Sequence, residues 1–78
     1  MKNFRVRWVI TQHPMVSLNI PKGYKFEGVD NNGCIIYLKE GVMQFRSIRE
    51  AIYWVNAQNG INPPCMTTFV ELPNDRLF

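Results

Sequence analysis

Phe4-Arg5-Val6-Arg7-Trp8-Val9-Ile10 alternates with a period of two. Successive side chains of a strand point to opposite faces, so this run predicts a half-buried strand. Phe4, Val6, Trp8 and Ile10 face one way, and Arg5, Arg7 and Val9 the other. Thr11-Gln12-His13-Pro14 breaks the alternation. Val16-Ser17-Leu18-Asn19-Ile20 resumes it and predicts a short second strand, closed by the turn residues Pro21-Lys22-Gly23.

Tyr24 to Asp30 and Cys34 to Lys39 read as two further strands joined through Asn31-Asn32-Gly33, with Gly33 in the left-handed position of a bulged loop. Lys39-Glu40-Gly41-Val42 predicts a tight turn, with Glu40-Gly41 as its loop, into Met43-Gln44-Phe45-Arg46. On that register Leu38 faces Met43, Ile36 faces Phe45, Phe26 faces Leu38 and Gly28 faces Ile36. Tyr24, Phe26, Ile36, Leu38, Met43 and Phe45 then share one apolar face. A two-residue Asn32-Gly33 loop would instead set Glu27 opposite Leu38 and bring charge onto that face, so the three-residue loop is preferred.

Ser47-Ile48-Arg49-Glu50 is a capping box, an N-cap serine with a glutamate three positions on. Ile48, Ala51, Ile52 and Val55 follow as one apolar stripe at helical spacing, flanked by Tyr53 and Trp54. Asn59-Gly60 supplies a left-handed stop, so the helix spans about 48–58. Met66 to Leu72 reads as a last strand ended by Pro73, and Asn74 to Phe78 as a tail. The expected architecture is α+β: an antiparallel sheet of four to five strands with one helix packed on one face.

Length makes this a single domain, 1–78, because the 78 residues leave no room for two. A hydrophobic share of 46% is that of a globular chain. No apolar run nears the roughly 18 residues a membrane helix needs. Charges at Lys2, Arg5 and Arg7 interrupt any leader segment. These features predict a cytoplasmic protein without membrane contact. Cys34 and Cys65 read as reduced, small apolar residues, with a disulfide conceivable if their strands are neighbours.

Candidate chemistry is sparse. His13 stands alone before Pro14, and Glu27, Glu40, Glu50 and Glu71 are scattered. Cys34, Cys65 and His13 match no zinc spacing, and no glycine-rich phosphate loop is present. The expectation is therefore no enzyme, no metal and no cofactor.

The sheet face opposite the helix draws more attention. On the predicted register it carries Val29, Ile35, Tyr37 and Val42, ringed by Lys25, Glu27, Lys39, Gln44 and Arg46, with Arg5 and Arg7 nearby. An apolar centre with a charged rim suits a protein partner; the alternatives are the N-terminal segment folding over it, or a weakly apolar solvent face. Net charge is +3, only mildly basic, yet Tyr37 among Lys25, Lys39 and Arg46 could stack bases and meet phosphates.

The hairpin ending in Phe45, followed by Ser47-Ile48-Arg49-Glu50-Ala51 and Tyr53-Trp54-Val55, resembles two groups of small proteins. One is the sheet-plus-helix arm of phage-type integrases and plant AP2-type domains. The other is the short phage-encoded inhibitors, anti-CRISPR proteins among them. The second resemblance implies a phage or mobile-element regulator that docks on a host protein or nucleoprotein complex and blocks it sterically. The first implies DNA or RNA binding by the open sheet face. A homodimer through that face or an edge strand is a third expectation.

Overall fold

The N-terminal alternation becomes strand β1 (Lys2–Gln12). The computed structural model describes residues 1–71, where β1 is followed by β2 (Lys25–Val29), β3 (Ile35–Phe45), helix α1 (Ile48–Ile61) and β4 (Met66–Glu71). All pairings are antiparallel and the order is β2-β3-β1-β4. The fold is thus α+β with a four-stranded antiparallel sheet and one helix. Leu72, Pro73 and the tail lie outside the described residues.

Paired residues share a face. Phe4 pairs with Met43, Val6 with Gly41, Trp8 with Lys39 and Ile10 with Tyr37. Val6 also pairs with Val70, and Trp8 with Thr68. These residues form the helix side, where Phe4, Val6, Phe45, Val70, Ala51 and Val55 make the core and Trp8, Met43 and Trp54 pack against it. Phe4 meets Phe45 edge-on at 5.6 Å between ring centroids, Phe45 meets Trp54 at 5.5 Å, and Trp8 meets Trp54 at 6.4 Å. Edge-on contacts suit the ring quadrupole and add to the large area each aromatic buries.

The helix starts as expected: Ser47 is extended and its Oγ accepts the Glu50 N–H at 3.2 Å. Its end differs. Gly60 keeps a right-handed backbone, because only Gly23 and Gly33 have positive φ among the described glycines. The helix runs on to Ile61 and stops at Asn62, which is extended and donates its N–H to Gln58 O at 2.9 Å. Asn62 precedes Pro63, whose ring disfavours helical backbone in the residue before it.

Glu40-Gly41 is not a turn: β3 passes straight through it, paired along its length with β1. Gly41 lies beneath Trp8, where an added Cβ would sit 3.3 Å from Trp8 Cζ3. The glycine thus serves close approach of an indole rather than chain reversal. Without the turn, Ile36 and Leu38 leave the face of Met43 and Phe45, and Ile35 and Tyr37 take their place. Gly41→Val is expected to force the indole aside and cost about 1–3 kcal/mol by denaturant melting.

Two further differences concern the chain before β3. Val16–Ile20 forms no strand; residues 13–24 are a connection. It carries Tyr24 to the helix side, where the phenol reaches Met66 Sδ at 3.9 Å. The β2–β3 register shifts between Phe26 and Gly28, so Phe26 faces Tyr37 rather than Leu38, while Gly28 faces Ile36 as expected. The loop keeps Gly33 left-handed, at φ 80. Asp30 Oδ1 tightens that loop by accepting the Asn32 and Cys34 N–H groups, each at 2.9 Å.

Strand β4 is an edge, and the helix closes it. Asn59 Nδ2 donates to Thr68 O at 3.0 Å, and Thr68 N–H donates to Asn59 Oδ1 at 2.7 Å. A carboxamide offers donor and acceptor side by side, so it replaces a neighbouring strand at one residue. Asn62 Nδ2 donates to the Thr68 hydroxyl at 2.9 Å, completing the polar surroundings of a residue only 1% exposed. Asn59→Ala would leave the Thr68 N–H and C=O buried without partners. The expected loss is about 2–3 kcal/mol, read by denaturant melting, with concentration-dependent association through the opened edge.

Candidate functional site: apolar surfaces of the sheet

The predicted partner-binding residues divide between the two sides of the sheet. Val29, Ile35 and Tyr37 do come together, but on the helix side, at the β2–β3 hairpin and away from the core cluster under α1. Lys39 is also on this side, its Nζ 5.0 Å from the Trp8 ring centroid. Val42, Lys25, Arg5 and Arg7 lie on the far side. Arg46 is exposed just beyond β3. The division follows from Gly41: removing the turn reverses the facing of every β3 residue on one side of it relative to the other.

Phe26 belongs to the hairpin group although the sequence pattern places it in the core. Its ring meets Tyr37 edge-on at 6.5 Å. Phe26 is 65% exposed and Val29 59%. Tyr37 is half-buried, and its hydroxyl donates to Gln12 Oε1 at 3.3 Å. The facing of Phe26 was readable; that α1 covers only the β1, β4 and Phe45 part of the sheet was not. Gly23, Lys25, Phe26, Glu27, Leu38 and Glu40 line a depression at the β2 edge.

No described element packs across the far side. Val9, Ile36, Leu38 and Phe69 are half-buried there, and Val42 is 68% exposed. Its charges answer one another. Arg5 lies 3.6 Å from Glu71, and Arg7 lies 3.8 Å from Glu40 and 3.9 Å from Glu71. Such pairs contribute about 0–1 kcal/mol each to stability. Their larger consequence is electrostatic, because a phosphate approaching either arginine meets a carboxylate already in place.

The remaining reactive groups stand apart. His13 is exposed, and its Nδ1 accepts the Met15 N–H at 3.1 Å. Cys34 and Cys65 are free and half-buried. Burial pushes the Tyr24 phenol above its ordinary value. Among the described residues, no three His, Cys, Asp or Glu side chains gather where they could hold a metal ion. None of the described helices is long and apolar enough to cross a membrane.

The fold and the two surfaces define a helix-backed antiparallel sheet with an apolar hairpin that no other described element covers. Comparison with protein-family models, curated proteins and solved structures finds no match to this chain.

Proposed function

We propose that this chain is a small non-catalytic binding protein that docks on a larger host protein or nucleoprotein complex through the β2–β3 hairpin and blocks it sterically. One observation carries this reading. Phe26 and Val29 lie in strand β2 yet remain 65% and 59% exposed, beside the ring of Tyr37. Ordered apolar side chains grouped in solvent mark contact surfaces. Aromatic residues also concentrate binding energy because they bury a large area with little conformational loss. Tyr37, Ile35, Val29 and Phe26 form the apolar centre, with Lys39 beside them.

A cytoplasmic regulator or inhibitor of phage or mobile-element type suits a chain of this size with so little reactive chemistry. Nucleic-acid binding is the weaker reading, since Arg5 and Arg7 face Glu71 and Glu40 and Lys39 is drawn over Trp8. Capture of partners from host lysate by the tagged protein, with and without nuclease, separates the two. A partner retained after nuclease supports protein docking. A signal lost with nuclease, whose affinity falls steeply with salt, transfers the function to nucleic acid.

A further inference from the structure

The sequence contains Asn-Gly twice, at Asn32-Gly33 and Asn59-Gly60. In such a pair the backbone nitrogen of glycine can reach the asparagine carboxamide, because no Cβ stands in the way. The two copies are held very differently. Asn32 is exposed in the β2–β3 loop, and its neighbour Gly33 has φ 80. Asn59 lies within α1, its carboxamide bound to both backbone groups of Thr68 at 3.0 and 2.7 Å.

We propose that Asn32 is a site of spontaneous deamidation and that the fold protects Asn59 from the same reaction. The Gly33 nitrogen loses its proton to solvent base and attacks Asn32 Cγ. A nitrogen–carbon bond forms, the Cγ–Nδ2 bond breaks, and ammonia leaves with a proton from solvent. Water then opens the cyclic imide at either carbonyl, leaving aspartate or isoaspartate. In the native loop the Gly33 N–H donates to Asp30 O at 3.1 Å, so this one exposed bond must open first. At Asn59 both Thr68 bonds and the surrounding helix must open. Asn62 cannot follow this route, because Pro63 has no N–H to lose.

The product matters to the hairpin. It places a carboxylate beside Asp30, and isoaspartate adds a methylene to the chain between the Asn32 and Cys34 N–H groups that Asp30 Oδ1 holds. The β2 end of the sheet should therefore loosen while the core under α1 stays intact.

The test is prolonged incubation of the native protein in mildly alkaline buffer, followed by peptide mapping by mass spectrometry and detection of isoaspartate. Conversion at Asn32 is expected to be at least about tenfold faster than at Asn59, since two hydrogen bonds of ordinary strength must open before Asn59 reacts. In urea the two rates should converge, and Asn32→Ser should remove the fast signal without lowering the melting temperature. Equal native rates at the two sites would overturn the proposal. So would an Asn32 that converts in urea but is inert in the folded protein.

Discussion

Phe4→Ala is expected to remove a large share of the protein's stability and lower its melting temperature steeply. Phe4 is 1% exposed at the centre of the core, edge-on to Phe45, and its strand is paired on both sides. Truncating a buried phenylalanine removes its transfer energy and leaves a cavity, at a cost of about 3–5 kcal/mol. A domain this small has only roughly 4–12 kcal/mol of total stability. Little slack is available, since among the described residues the cluster around Phe4 comprises six buried side chains, with Trp8, Met43 and Trp54 packed against it. Phe4→Leu restores most of the volume and should cost clearly less. Thermal melting followed by circular dichroism reads both. A Phe4→Ala protein that melts like the parent would place the core elsewhere.

The second large effect is on binding rather than folding. Truncating both Phe26 and Val29 to Ser is expected to weaken partner affinity by about 1,000-fold, because central apolar anchors cost about 2 kcal/mol each when removed. Stability should change little, since both side chains already stand mostly in water. Tyr37→Ala is a poorer probe, because the ring is half-buried and its hydroxyl is tied to Gln12. Its loss would mix folding with recognition. Thermal melting of the double variant, run beside the affinity measurement, separates the two contributions.

The chain announces its local features well. The facing of Phe4, Val6, Trp8 and Ile10 follows from alternation alone, and the serine cap follows from one short motif. Ala51 and Val55 are buried as the helical stripe requires, while Tyr53 stands 77% exposed. What stayed hidden depends on distant partners. Gly41 looks like a turn residue until Trp8 is found above it. Asn59-Gly60 looks like a helix stop, yet the helix runs on to Ile61 and the Asn59 carboxamide engages Thr68 on β4. The candidate surface divides along the same line. Val29, Ile35 and Tyr37 were legible as a group because one local hairpin builds them. Their side was not: Val42 lies opposite the helix as expected, whereas Val29, Ile35 and Tyr37 turn to the helix side because β3 runs straight along β1 through Gly41.

The most direct test of the docking account is a titration of the captured partner with three proteins: wild type, Phe26→Ser, and Val42→Ser on the opposite side of the sheet. Both side chains are similarly exposed, at 65% and 68%, so neither change should disturb the fold. The account predicts a loss of about 30-fold for Phe26→Ser, about 2 kcal/mol, and wild-type affinity for Val42→Ser. Full binding by Phe26→Ser with loss in Val42→Ser would contradict it and move the docking surface to the far side of the sheet.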